Sequence, residues 1–305
     1  MANIENFKDA GYVIIDDAFT QEELDNFRKT LHYSICNILE RAATKHPALK
    51  NTLKEIISTD SANNCDKGLL ALRYADPTLV SVVQRFISRS PEFYKLCSSS
   101  VMTQALRAVM ELSTHAPLYF LSNGIVFTNP DDSDNLRSSN FELDWHQDTF
   151  FTIPRSPYIQ FWGPVLHDSD TDIGTLILCP GSQKEGYGKQ RIHPELSFNH
   201  RFSMAEGEVD KYTHVPANLK LGQMLIFHGQ LIHASGDNTS QHVRTTLLGL
   251  CHNASSEHCN PVSTEYRYYG QTPEAWFYEV YQDDKALSLI DQFAANPTGE
   301  PKGGV

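Results

Sequence analysis

The stretch Asn140-Phe-Glu-Leu-Asp-Trp-His-Gln-Asp-Thr-Phe150 decides how the chain is read. Successive side chains of an extended strand alternate faces, so His146 and Asp148 share one side and Gln147 takes the other. An imidazole nitrogen then stands beside a carboxylate oxygen. Such a pair arises by chance and usually marks a surface contact. It gains meaning from a second histidine, His233, in Leu221-Gly-Gln-Met-Leu-Ile-Phe-His-Gly-Gln-Leu-Ile-His233-Ala-Ser-Gly236. It gains more from Arg244, a cation that opens the apolar run Thr245-Thr-Leu-Leu-Gly-Leu250.

Outward from this stretch the texture is that of short strands. Apolar runs at Tyr119–Phe127, Phe141–Thr152, Ser156–Leu166, Gly174–Cys179, Tyr212–Pro216, Met224–Phe227, Ile232–Ser235 and Thr245–His252 are separated by Gly, Pro, Asp and Asn. Many short strands with such punctuation predict a barrel or a double-sheet jelly roll. The N-terminal part reads differently. A short helix and a strand fill residues 1–20. Thr20 and Glu23 then form a capping box ahead of Leu24, Phe27, Leu31, Ile35, Ile38 and Leu39 at helical spacing, which predicts a helix over 21–44 ended by Pro47. Residues 48–118 read as mainly helical. Pro77 starts a helix with Leu79, Val82, Val83, Phe86 and Ile87 on one face, Pro91 starts another, and Val101–Met110 is a further segment. Leu69–Tyr74 is ambiguous by period. After Asn253 the chain returns to loop and helix, with an aromatic run over 266–281 and a tail from Asn296 expected to be disordered.

The expected organisation is therefore α+β and a single domain over 1–305: mainly helical support at 1–118, a β core at 119–254, and a C-terminal extension at 255–305. The apolar fraction of 40% is ample for a core. A net charge of −12 speaks against a nucleic-acid surface. No run approaches the ~20 apolar residues of a membrane span, and the N-terminus lacks the charged and apolar regions of a signal peptide. Six cysteines without a Cys-x-x-Cys pair are expected to be reduced thiols in a cytoplasmic protein.

Two histidines and one carboxylate on one face of an octahedron leave three positions open, the pattern of non-haem Fe(II) oxygenases. Arg244, on a strand expected to pair antiparallel with that of His233, would bring a planar fork suited to a carboxylate. A metal triad with such an arginine is what a 2-oxoacid co-substrate requires.

In this light the sequence resembles the phytanoyl-CoA dioxygenase-like family of Fe(II)/2-oxoglutarate oxygenases, from about Ile125 to His252. His146-Gln-Asp148, Ile159-Gln-Phe-Trp162, Ile173-Gly-Thr-Leu-Ile-Leu-Cys-Pro-Gly-Ser182 and Gly222 to Asn238 followed by Arg244 resemble its blocks in order. The resemblance implies a double-stranded β-helix (jelly roll, cupin-like). It implies iron on His146, Asp148 and His233, and 2-oxoglutarate held by Arg244 with help from Ser235. Gln147 and Trp162 would border the co-substrate. With O2 the expected outcome is hydroxylation of a small or medium-sized metabolite with release of succinate and CO2; desaturation or ring closure is open to the same oxidant. A non-catalytic metal- and carboxylate-binding relative, used as a sensor or partner, and a cupin-like zinc enzyme are the alternatives. Three positions depart from the family pattern or bear on it. Gln183 stands where the family usually has His, and Asn129 where some members carry Lys, with Arg137 the only cation in the loop that follows, so an acyl-CoA substrate does not carry over. Asp148 is present, which argues against halogenation. Substrate and oligomeric state are unread.

Overall fold

The computed structural model describes residues 4–130, 143–148, 158–186, 188–192 and 202–256. The expected strand Phe141–Thr152 falls partly outside these residues. So do Arg137, the aromatic run 266–281, the tail from Asn296, Cys259 and three of the histidines (His193, His200 and His258).

Local chemistry accounts for most of the helices. After α1 (Ile4–Ala10) and β1 (Tyr12–Ile15), α2 (Gln21–Ala42) begins with the capping box of Thr20 and Glu23. The Thr20 hydroxyl accepts the Glu23 N–H and the Glu23 carboxylate accepts the Thr20 N–H. The apolar positions of α2, led by Phe27, Leu31, Ile35 and Leu39, are fully buried. The helix stops at Ala42, just short of the expected 44, and Pro47 stands just ahead of α3 (Leu49–Ile56). The ambiguous Leu69–Tyr74 lies within α4 (Ala62–Ala75). Next come α5 (Pro77–Ile87), α6 (Pro91–Cys97) and α7 (Ser100–Val109), capped by Asp76, Ser90 and Ser99. On α5 Val83 and Ile87 face the core, but Phe86 is 57% exposed and lies off the face expected for it.

The strands are β2 (Leu118–Thr128), β3 (Tyr158–Pro164), β4 (Leu176–Leu178), β5 (Gln190–Ile192), β6 (Phe202–Met204), β7 (Val215–Pro216), β8 (Met224–His228), β9 (His233–Ser235) and β10 (Arg244–Asn253). They form antiparallel sheets: five strands in the order β1-β8-β3-β10-β2, three in the order β7-β4-β9, and the hairpin β5-β6. One apolar core joins the helices to the large sheet through Phe27, Phe93, Phe161 and Leu247. A second cluster, including Trp162, Leu178, Leu225 and Phe227, lies between the large and the three-stranded sheet. Gly11 enters β1 at φ +82°, and a Cβ there would collide with Gln183 and Leu231, so glycine is required.

Two expectations about strands change. Around His146 the described residues form an isolated bridge to His233, not a strand. β9 and β10 are not paired: His233 is on the three-stranded sheet and Arg244 on the five-stranded one. They meet across the space between sheets, because the chain turns over from one sheet to the other between Ser235 and Arg244.

Candidate active site

His146 and His233 are held backbone to backbone. The His146 N–H donates to the His233 carbonyl (2.9 Å), and the His233 N–H returns the bond (3.1 Å). Each Nδ1 faces a carbonyl oxygen: His146 that of Asp144 (2.7 Å), His233 that of Leu231 (3.0 Å). A carbonyl only accepts, so both Nδ1 atoms carry hydrogen and both Nε2 atoms keep a lone pair when neutral. Those Nε2 atoms point at Asp148, at 3.2 Å from Oδ1 for His146 and 3.8 Å from Oδ2 for His233. Three ligand atoms from three residues thus lie within 4.8 Å of one another. The parity argument for His146 and Asp148 reached the right juxtaposition through the wrong backbone, since Asp148 sits on a turn-like segment after the bridge.

Burial sets the charges. It pushes His233 down to about 4, with the neighbouring His146 adding to the effect and Asp148 opposing it. Burial also pushes His146 down, but the Asp148 hydrogen bond and charge outweigh it and carry His146 above the usual value. For Asp148 burial acts upward; the hydrogen bond and charge of His146, with His233 and Gln160, leave the carboxyl below the usual range. The triad therefore presents a carboxylate and at least one neutral imidazole near neutral pH.

These atoms open into a cavity of about 300 Å³ between the two sheets. Side-chain alternation along β10 puts Arg244, Thr246, Leu248 and Leu250 on its cavity face, opposite Thr128, Val126, Trp162 and Gln160 of the neighbouring strands. Arg244 is buried and donates to Thr128 Oγ1 (3.0 Å) and to the Gly236 carbonyl (3.2 Å). Ser235 and Trp162 line the same cavity, with Phe161, Leu176 and Phe227 forming apolar wall. Gln147 does not. Its buried amide donates to the carbonyls of Gly186 and Gln230 and accepts the Gly188 N–H, so it ties loops together outside the cavity lining.

Other residues were not singled out by the sequence. Gln160 is 94% buried in effect, at 6% exposure, and its Nε2 lines the cavity without a full hydrogen bond among the described residues. Its position two before Trp162 on one strand face was the available signal. Ser182, of the Pro-Gly-Ser block, accepts the Ile232 N–H on its hydroxyl (2.9 Å) and so fixes the backbone next to His233. Asn238 donates to the carbonyls of Thr128 and His242, closing the turn before Arg244. Among the described residues His228 is not part of the triad; its Nδ1 accepts the Gln230 N–H.

The donor set and the cavity define a non-haem iron, 2-oxoglutarate-dependent oxygenase. The chain belongs to the phytanoyl-CoA dioxygenase (PhyH) family, whose model matches residues 7–246. It is 23% identical over 275 residues to phytanoyl-CoA dioxygenase domain-containing protein 1 of Danio rerio, covering 80% of this chain and 87% of that protein. It is 31% identical to phytanoyl-CoA dioxygenase 1 of Oryza sativa subsp. japonica over 102 residues, 33% of this chain and about a third (36%) of the rice protein. The fold is similar to that of the epimerase SnoN in complex with Fe3+, alpha ketoglutarate and nogalamycin RO, with a TM-score of 0.53 at 13% identity over 88% of each chain. No described helix is long and apolar enough to cross a membrane.

Proposed function

We propose that the protein hydroxylates a small or medium-sized metabolite, with 2-oxoglutarate and O2 as co-substrates. The observation that carries this reading is the convergence of His146, Asp148 and His233 on one wall of a cavity that Arg244 enters from the opposite sheet. Two imidazoles and a carboxylate are the donors that Fe(II) takes in this class, so the residues present fit the metal. The facing five- and three-stranded sheets fit the two walls of a double-stranded β-helix, within a single domain over the whole chain.

Iron with 2-oxoglutarate and O2 supplies the oxidant, and succinate and CO2 are its by-products. The rest falls to this chain. His146, Asp148 and His233 would hold the metal. Arg244 pairs its guanidinium with the distal carboxylate of 2-oxoglutarate, with Ser235 hydrogen-bonding beside it and Trp162 walling the co-substrate. Thr128 and the Gly236 carbonyl hold the guanidinium in place. Gln160 adds a minor share to the ionisation of Asp148, which His146 dominates, and offers an amide to whatever enters next to it. Phe161, Leu176 and Phe227 keep water from the reacting carbon. The net charge of −12 and the five described cysteines, all free, are consistent with a cytoplasmic enzyme of small molecules and not of nucleic acid.

The test is anaerobic titration with Fe(II) and 2-oxoglutarate, followed by succinate release in air with a panel of candidate substrates. Wild type is expected to bind both and to form succinate; His146→Ala and Asp148→Ala are expected to do neither. Tight binding of both ligands with no succinate under any condition would instead mark a sensor.

A further inference from the structure

A second His-Asp-His group lies outside the cavity, and none of its members lines that cavity. Asp66 projects from α4 and is 4% exposed. His167 Nε2 (2.7 Å) and His242 Nδ1 (2.9 Å) both approach its Oδ2, and the Val243 N–H reaches its Oδ1 (3.3 Å). The two rings stand 4.5 Å apart, tilted by 34°. We propose that Asp66, His167 and His242 form a second divalent-metal site, of the zinc type, that fastens α4 to the segment leading into Arg244.

A buried carboxylate demands a compensating cation. Among the described residues its ion-pair partners are these two imidazoles and no Lys or Arg. Three donors converge on one point, with all ligand atoms within 4.8 Å of one another. Tetrahedral zinc at about 2.0–2.2 Å from each donor needs donor–donor edges of about 3.3 Å, so each contact must open by about half an ångström. His242 can supply that movement, because its side chain is 45% exposed and sits on the turn before β10. The same exposure gives the fourth position to water and gives the ion a way in. Zinc binds any such nitrogen and oxygen donor set more tightly than Fe(II) in the divalent series, which makes Zn2+ the probe of choice here and requires the cavity triad to be removed in the test. The Val243 N–H on Asp66 joins this group to the residue preceding Arg244.

The test uses the full chain with the cavity triad removed, His146→Ala with His233→Ala, so that zinc has one place to bind, and Zn2+ alone as probe. Dialysis with metal analysis is expected to give one zinc per chain, and the melting temperature is expected to rise with zinc. Adding His242→Ala should weaken binding at least about tenfold, and adding Asp66→Asn should abolish it. Because Asp66 is buried, Asp66→Asn is scored only if its circular dichroism is unchanged; His242→Ala carries the test otherwise. Co2+ should give the intense visible absorption of a tetrahedral site. No zinc retained by the triad-less protein, or equal retention with His242→Ala, would overturn the proposal and leave a hydrogen-bonded clamp. Neither result depends on turnover, so the reading of the cavity stands or falls separately.

Discussion

Arg244 and Gln160 divide the cavity's polar work. Arg244 is fixed by Thr128 and the Gly236 carbonyl, away from the triad ligands. Arg244→Ala should therefore leave Fe(II) affinity unchanged while raising the KM for 2-oxoglutarate by about 10–100-fold, the worth of a hydrogen bond to a charged group. Equal loss of iron and co-substrate binding would contradict that division. Gln160→Leu keeps the volume and removes the amide. Iron and 2-oxoglutarate should still bind, and succinate formation should fall by about tenfold, equivalent to one hydrogen bond. An unaltered rate would make Gln160 a packing residue. That His146, Asp148, His233 and Arg244 would meet around one cavity was legible in the sequence, because a metal site and a carboxylate clamp need particular residue types. Gln160 was not, because a buried amide looks like any strand residue until its neighbours are known, and the place of Gln147 between His146 and Asp148 says nothing about where its amide ends.

Element by element, legibility followed locality. The starts of α2, α5 and α6 were readable since Thr20, Asp76-Pro77 and Ser90-Pro91 act on the next few residues. Thr20→Ala should cost about 1 kcal/mol, and urea unfolding measures it; no change would mean the core alone fixes the helix start. The end of α2 fell just short of the expected 44 because Pro47 is a barrier but not the place where helical contacts run out. The short β5 and β6 carry too few residues for a period. Sheet membership of β9 and β10 was beyond reach for another reason: eight residues between them permit either a hairpin or a crossing, and only packing of Trp162, Leu178 and Phe227 decides.

For the whole molecule, pH acts through buried histidines. His252, stacked near Tyr119 and Tyr158, is pushed down to about 4 by burial, as His233 is. Above pH 6.5 the folded and unfolded chains are both neutral at these sites. Between 6.5 and 4 only the unfolded chain takes the protons, so stability falls as pH falls. At about 1.4 kcal/mol per pH unit, His252 alone should remove about 2 kcal/mol from the metal-free protein between pH 7 and pH 5. Denaturant unfolding at the two values should show that loss shrink in His252→Gln. An undiminished loss would assign it elsewhere.

The division of the site between two sheets makes the protein a caliper. The triad is anchored on the jaw that carries β9, the guanidinium on the jaw that carries β10, and side chains such as Leu176, Phe227 and Leu248 are the spacers that set the gap. On the roles proposed for the triad and Arg244, a diacid that spans the gap would be gripped at both ends, and a shorter keto acid would touch one jaw at a time. Chain-length preference among co-substrates would then be written into the packing between the sheets, at positions outside the triad and Arg244.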